Sequence, residues 1–195
     1  MGYPLKPGLK IGLLGGSFNP AHGGHLEITQ RARSALGLDQ CWWLVTPQNP
    51  LKSAGDYAPL HKRLRQAQNV AQGHAWLRVT DIETKLGTRY TIDSLTKIIT
   101  RHPSQRFVWI MGADSLAQFH RWKDWQRIGR LIPICVMSRP GDERDALSSV
   151  AARRWARHRL PRRQAKKLIS TRPPAWVYLP IVHNPESATR LRQLK

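Results

Sequence analysis

The stretch Gly12-Leu-Leu-Gly-Gly-Ser-Phe-Asn-Pro-Ala-His-Gly-Gly-His25 decides the fold of this chain. Apolar residues over 11–14 predict a buried strand, which ends in the glycine pair 15–16 and in a turn at the Asn-Pro dipeptide 19–20. A helical pattern of apolar residues follows from about residue 24. A strand, a glycine loop and a helix start bring backbone N–H groups and the positive end of the helix dipole to one point. The stretch therefore predicts a phosphate site.

Two histidines, His22 and His25, flank this point. Residues three apart on a helix share a face, so both imidazoles can lie at the mouth of the loop, which indicates chemistry at phosphorus. A lone histidine at such a position is more often a surface or capping residue, and that interpretation stays open for each ring. The spacing fits neither G-x-x-x-x-G-K-[ST] nor G-x-G-x-x-G, which disfavours a P-loop and the usual dinucleotide fingerprint.

The length and the hydrophobic content of the chain are those of one α/β domain. The chain has 195 residues, 41% of them hydrophobic, and we expect a single domain over 1–195. Cys41 and Cys135 lie in apolar runs, which predicts small buried residues rather than a disulfide or a metal pair. The first residues lack the apolar core of a signal peptide, and no run approaches the ~18 apolar residues of a membrane helix. A cytoplasmic location is therefore expected.

The charge is extreme and unevenly distributed. The formal net charge is +20, which favours polyanions non-specifically. Nine basic residues crowd the region 153–172 with no acidic residue between them, and two interpretations are open: a nucleic-acid-binding face, or a solvated arginine-rich segment. We name these residues the basic segment: Arg153, Arg154, Arg157, Arg159, Arg162, Arg163, Lys166, Lys167 and Arg172.

Predicted strands and helices alternate along the chain. Strands are predicted over 11–14, 41–45, 77–79, 106–111, 133–137 and 176–179. Helices are predicted over 24–36, 59–72, 91–101, 114–128 and 142–157. This alternation indicates an α/β fold with a doubly wound parallel sheet. Ligands are then expected beyond the carboxyl ends of the strands.

The loop at 15–25 resembles the opening motif G-G-S/T-F-D/N-P-x-H-x-G-H of the nucleotidylyltransferase superfamily. The resemblance implies a Rossmann-like nucleotidylyltransferase fold, with catalytic roles for His22 and His25. It also implies that ATP phosphates are bound by Gly15, Gly16, Ser17 and Phe18. Many members have Asp where this chain has Asn19, so a negative charge is absent at that position.

The run Gly112-Ala-Asp-Ser-Leu-Ala-Gln-Phe-His-Arg-Trp122 resembles the Gly-x-Asp-Ser/Asn-Leu…Phe-x-x-Trp segment of nicotinate-nucleotide adenylyltransferases. In that family the Gly-x-Asp serves the nucleotide ribose, which implies this role for Gly112 and Asp114. The tryptophan stacks on the nicotinate ring, which implies a mononucleotide contact for Trp122. We expect Trp125 to be a core residue.

Four further segments resemble the same family. The Pro-rich segment at 46–52 implies that Lys52 contacts the triphosphate, and an S-S/A-T-x-I-R-like motif near the C-terminus implies that Ser187, Thr189 and Arg192 hold the β- and γ-phosphates. Mononucleotide contacts are implied for Thr88, Tyr90, Thr91 and Arg139. From the residues alone, Thr91 is equally well explained as the N-cap of the helix predicted after it.

The resemblance implies an enzyme of NAD biosynthesis. It would transfer the adenylyl group of ATP to nicotinate mononucleotide, giving deamido-NAD and pyrophosphate, with Mg²⁺ held by the substrate phosphates. The partners are then ATP and the mononucleotide, with no membrane, and nucleic-acid binding would be secondary. Two alternatives stay open: another superfamily enzyme, such as a phosphopantetheine adenylyltransferase or a cytidylyltransferase, and a basic nucleic-acid-binding protein without turnover.

Overall fold

The computed structural model describes residues 6–47, 58–138 and 143–180. Within these ranges seven strands form one sheet, in which all paired strands are parallel. The strands are β1 (Lys10–Gly16), β2 (Gln40–Val45), β3 (Leu77–Thr80), β4 (Arg106–Gly112), β5 (Ile134–Ser138), β6 (Arg159–Leu160) and β7 (Trp176–Pro180). The α-helices are α1 (Gly23–Leu36), α2 (Leu60–Ala71), α3 (Ile82–Leu86), α4 (Thr91–Arg101), α5 (Ala113–Ala117), α6 (Trp125–Leu131), α7 (Glu143–Leu147) and α8 (Val150–Arg154).

The strand order is β3-β2-β1-β4-β5-β7-β6, which confirms the predicted doubly wound parallel sheet. Side chains alternate between the two faces of each strand, so the sheet has a core on either side. Ile11 and Leu13 of β1 belong to one core, whereas Leu14 belongs to the other. Both cysteines are buried, as expected, and burial raises the pKa of the Cys41 thiol to about 12.

The order in which strands are added to the sheet reverses between β1 and β4. β2 pairs with one edge of β1 and β4 with the other, in a register that places Leu14 beside Trp43 and beside Ile110. At such a switch point the loops that follow the two strands diverge and leave a crevice, which is where ligands bind in open parallel sheets. The loop at 17–22 follows β1, and Ala113 follows β4.

Two predicted helices are interrupted. The expected helix over 114–128 is α5, a short 3-10 turn at Phe119–Arg121 and α6, with a break at 122–124 where Asp124 takes a positive φ of 50°. The expected helix over 142–157 is α7 and α8 followed by a 3-10 turn at Ala156–His158, because Ser149 caps a new helix by accepting from the N–H of Ala152. Apolar spacing alone did not reveal these breaks.

The basic segment (153–172) covers one edge of the fold. It runs from α8 through β6 and a 3-10 helix at Arg162–Ser170, and all nine basic side chains are exposed. Between them Trp155, Ala165 and Leu168 are buried. The segment is therefore packed through its apolar residues and presents its charges to solvent. No helix within the described residues is long and apolar enough to cross a membrane.

Candidate active site

The histidine pair lies at the amino end of α1, beyond the carboxyl end of β1. His22 is the N-cap residue, and its Nδ1 accepts a hydrogen bond from the backbone N–H of Gly24 at 3.1 Å. The Nδ1 of His25 accepts from the backbone N–H of His22 at 3.3 Å. The two rings form a reciprocal capping box, with centroids 4.0 Å apart. The rings cap the helix, as one interpretation of the sequence expects, and they also meet at its positive end; their role in chemistry at phosphorus stays a prediction.

These bonds select the tautomer of both imidazoles. A ring nitrogen that accepts a hydrogen bond cannot carry the proton of the neutral ring, so in each neutral ring the proton lies on Nε2. Each ring can then donate from Nε2. Two such donors at the positive end of α1 suit an anion in which negative charge is spread over several oxygens.

The ring of Phe18 packs between His25 and Trp43. The ring of Phe18 lies 4.8 Å from the His25 ring and stacks on Trp43 at 4.9 Å. Phe18 is buried, and its φ of 45° is one that a bulky residue rarely adopts. Its side chain therefore belongs to the core, and only its backbone is placed to meet a phosphate. The peptide bond that follows Asn19 is cis, and Asn19 Oδ1 accepts from the N–H of Ala58 at 3.3 Å.

The glycine pair 15–16 ends β1. Gly15 lies against the indole of Trp109 on β4, so a side chain there has no room, whereas Gly16 meets only Phe18 at ordinary contact distance. Gly112 ends β4 on the other side of the switch point and is followed by Asp114 in the first turn of α5. Asp114 is exposed at this edge of the sheet. The predicted phosphate and ribose residues therefore flank one crevice.

A buried hydrogen-bond network orders the segment before α4. Thr88 Oγ1 lies 2.8 Å from Ser94 Oγ, which donates to Glu83 Oε1 at 2.9 Å. The side chain of Thr46, at the end of β2, also hydrogen-bonds the Glu83 carboxyl. Burial raises the pKa of Glu83, and the hydrogen bonds from Ser94 and Thr46 offset part of that rise. The hydroxyl of Thr88, which lies just before α4, is thus held by the side chain of Ser94, which is bonded in turn to Glu83.

The remaining predicted mononucleotide residues lie around this segment. Tyr90, rather than Thr91, is the N-cap residue of α4, and its side chain makes no capping bond, so the capping interpretation of Thr91 is wrong. Trp122 lies in the break before α6 and is half-buried, edge-on to Phe119 with centroids 5.1 Å apart. Trp125 is half-buried against the core. Because the predicted helix is broken there, one part of the Trp122 indole remains accessible.

Five predicted site residues lie outside the described ranges: Lys52, Arg139, Ser187, Thr189 and Arg192. Within the described ranges, the structure also shows two residues of the site that the sequence did not indicate, Glu83 and Arg63. Glu83 follows the carboxyl end of β3, which is the one signal that could have singled it out. Arg63 resembles a surface charge on α2, yet it is only 1% exposed and bonds to several loops of the site.

Comparisons with known proteins agree with this arrangement. The cytidylyltransferase-like family model matches residues 13–193. A protein of Ruegeria pomeroyi (strain ATCC 700808 / DSM 15171 / DSS-3) is 46% identical and covers 98% of this chain and 89% of its own length. One of Caulobacter sp. (strain K31) is 48% identical and covers 94% of this chain and 97% of its own length. Both are called probable nicotinate-nucleotide adenylyltransferases.

A solved structure shares the fold at much lower identity. The Plasmodium falciparum nicotinic acid mononucleotide adenylyltransferase complexed with NaAD is 15% identical, with a TM-score of 0.70 over 95% of this chain and 83% of that chain. These sequence matches show that the chain belongs to the cytidylyltransferase-like family and, within it, to the nicotinate-nucleotide adenylyltransferases.

Proposed function

We propose that this chain is the enzyme that transfers the adenylyl group of ATP to nicotinate mononucleotide, giving deamido-NAD and pyrophosphate in NAD biosynthesis. A phosphate oxygen of the mononucleotide attacks the α-phosphorus of ATP in line. The bond from that phosphorus to the α–β bridging oxygen breaks, and pyrophosphate leaves with the electron pair. The nucleophile is already an anion near neutral pH, so the reaction needs no general base.

The reciprocal capping of His22 and His25 carries this proposal. The rings place two Nε2–H donors at the amino end of α1, beside the switch point of the sheet. We assign them to the α-phosphate and its bridging oxygen, where negative charge grows as the leaving group departs. Donors that are fixed before the reaction need no reorganisation when that charge develops. Catalysis then depends on positioning and on charge stabilisation.

The other predicted contacts complete the substrate sites. The backbone at 15–18 would bind phosphate, and Gly112 with Asp114 would bind the nucleotide ribose. Lys52 and the C-terminal residues 187–192 would hold the triphosphate, and Mg²⁺ would enter with ATP, bound by phosphate oxygens and water. The mononucleotide would lie between the start of α4 and Trp122, with Thr88, Tyr90, Thr91 and Arg139 as its other contacts.

Turnover of the purified protein tests the proposal. The protein is incubated with ATP, Mg²⁺ and either nicotinate or nicotinamide mononucleotide, and the dinucleotide product is resolved by chromatography. We expect rapid deamido-NAD formation and a strong preference for the nicotinate substrate. Comparable rates with the two substrates would keep the reaction and show dual specificity. Absence of product from both would exclude the proposed reaction.

The exposed basic segment favours polyanion binding as a second activity. Its charges all face solvent, whereas its one tryptophan, Trp155, is buried, so contacts would be made mainly to phosphates rather than by stacking of bases on an indole. We expect a labelled RNA to bind with an affinity that falls steeply as salt rises. Four Gln substitutions should abolish this binding when placed at Arg162, Arg163, Lys166 and Lys167. Binding should persist when they are placed at the exposed Arg65, Arg101, Arg127 and Arg130.

A further inference from the structure

A buried guanidinium joins three backbone segments at the phosphate-binding edge. Arg63 lies in the first turns of α2 and is 1% exposed. Its donors bond to four backbone carbonyl oxygens: Nη1 to Ser17 at 2.6 Å and to Thr46 at 2.7 Å, Nη2 to Pro47 at 2.7 Å, and Nε to Ala58 at 2.8 Å. These carbonyls belong to segments far apart in sequence.

Each of these segments has a place in the site. Ser17 belongs to the loop after β1 that leads to the histidine pair, whereas Thr46 and Pro47 follow β2. Pro47 and Ala58 are also the described residues on either side of 48–57, the range that contains Lys52. Arg63 thereby holds Pro47 and Ala58, the residues on either side of the range 48–57, in place relative to the glycine loop.

Two further hydrogen bonds join the same loops. The N–H of Thr46 donates to the carbonyl of Gly16 at 2.9 Å, and the N–H of Ala58 donates to Asn19 Oδ1 at 3.3 Å. The backbone of Ala58 is therefore held on both sides, by Asn19 at its nitrogen and by Arg63 at its oxygen. Loops anchored in this way keep one arrangement relative to each other.

Arginine suits this position for a geometric reason. Its guanidinium is planar, keeps its charge and offers five N–H donors in a fixed fork. A lysine at the same position would keep the charge but would offer its three donors from a single nitrogen on a flexible stem. It could not span the carbonyls of all three segments. Buried carbonyls that lose their donor would draw water or shift the backbone.

We propose that Arg63 is a positioning residue for the triphosphate end of ATP. It acts through the loops after β1 and β2, and it sets their distance from α1 without touching the substrate. The inference depends on the proposed adenylyl transfer for its role in catalysis, but its effect on Mg–ATP binding can be measured without turnover. The mononucleotide residues at 88–91 bond to none of the four carbonyls. The Thr46 side chain on Glu83 connects them with the loop after β2, so we expect loss of Arg63 to affect the mononucleotide much less than Mg–ATP.

The test compares Arg63→Lys with Arg65→Lys. Arg65 lies on the same helix but is exposed, so its substitution controls for charge type and helix propensity. For both variants and the wild type, calorimetry gives the dissociation constant of Mg–ATP, steady-state kinetics give kcat and both KM values, and thermal unfolding gives Tm. A misplaced loop should weaken Mg–ATP binding and raise the KM for ATP by on the order of tenfold to a hundredfold.

The test depends on which of the measured constants change: the Mg–ATP affinity and the KM for ATP, or also the KM for the mononucleotide. The KM for the mononucleotide should change much less than the KM for ATP and stay within about threefold of the wild-type value, because its predicted contacts meet the loops that Arg63 holds through the Thr46 side chain on Glu83 and not through the four carbonyls. Arg65→Lys should leave every constant unchanged. A lower Tm or kcat with both KM values and the Mg–ATP affinity unchanged would mean that Arg63 only stabilises the fold, and would overturn the proposal.

A second variant covers the case in which Arg63→Lys does not fold. Arg63→Ala is assayed with methylguanidine, whose planar cation can occupy the vacated space, and with methylammonium, which has the same charge but no fork. Recovery of Mg–ATP affinity with methylguanidine alone supports the proposal. Equal recovery with both, or recovery with neither, overturns it. If the wild type binds Mg–ATP but forms no dinucleotide, the proposed function fails while the test of Arg63 remains valid.

Discussion

The indole of Trp109 lies against Gly15 so closely that a methyl group on Gly15 would overlap its Cη2 atom and meet its Cζ2 atom at 3.1 Å. Trp109 is a core residue of β4, and Gly15 is the first of the two glycines that end β1. The glycine loop and the core of the sheet are therefore in direct contact. Movement of the indole would also disturb Trp122, whose ring lies 6.3 Å from that of Trp109.

The first prediction follows from this contact. Gly15→Ala should destabilise the fold by about 1–3 kcal/mol, the usual cost of overpacking a core, and should lower activity because the loop is displaced. Gly16→Ala is the matched control, since a side chain there meets Phe18 at an ordinary distance of 3.4 Å. Urea denaturation and turnover are measured for both. Equal stability of the two variants would show that the indole moves aside freely.

The second prediction concerns the reacting phosphate. His25→Ala should lower kcat by ~10²–10³, by analogy with the loss of one oxyanion donor. His74→Ala is the control, because His74 lies before the amino end of β3, at the opposite edge of the sheet. Steady-state turnover with saturating ATP and mononucleotide measures the effect. A His25 variant within twofold of the wild type would refute its catalytic assignment.

The third prediction concerns the mononucleotide. Trp122→Ala should raise the KM for nicotinate mononucleotide about fivefold, since an aromatic pair is worth about 1 kcal/mol, and should change the KM for ATP little. Trp76→Ala serves as the control, since Trp76 is also half-buried but directly precedes β3 at the far edge of the sheet. An unchanged mononucleotide KM would mean that Trp122 only packs against Phe119 and Trp109.

The fourth prediction concerns pH. Burial raises the pKa of Glu83 above its ordinary value of 4.5. A carboxyl whose pKa is higher in the folded state stabilises the fold below its unfolded pKa, and this contribution is lost as the pH rises through the folded pKa. The Glu83→Gln variant has an amide in place of this carboxyl, so it does not titrate at this position. The free energy of unfolding of the wild type, relative to this variant, should therefore fall as the pH rises above the ordinary pKa of 4.5 and through the higher folded pKa.

Asp81 provides a control of opposite sign. Its pKa is lowered from 3.8 by a hydrogen bond from Lys85, so its contribution is present above the unfolded pKa and is lost as the pH falls. Relative to Asp81→Asn, the wild type should show a flat difference above about pH 5 and a loss below it. Urea denaturation across the pH series measures both differences. A pH-independent difference for Glu83→Gln would contradict the prediction.

Local pattern was sufficient for much of the fold. The helix predicted over 91–101 is α4 at Thr91–Arg101, and the strand predicted over 11–14 is the centre of β1 at Lys10–Gly16. Strong periodicity and glycine or proline boundaries depend on neighbours within a few residues, so a single sequence reports them well. The broken helix around Trp122 was wrongly predicted because apolar spacing continued across the break.

The sequence by itself determined the parallel α/β fold and the position of the two histidines, since each follows from a short run of residues whose backbone preferences agree. Only the tertiary structure decided how those histidines are held. Backbone N–H groups at the start of α1 select the tautomer of each ring: that of Gly24 for His22, and that of His22 for His25. The buried Arg63 and Glu83, which resemble ordinary surface charges in the sequence, obtain their partners from segments that meet only after the sheet has formed. Hydrogen bonds between such distant segments leave no periodic pattern, so they appear only in three dimensions.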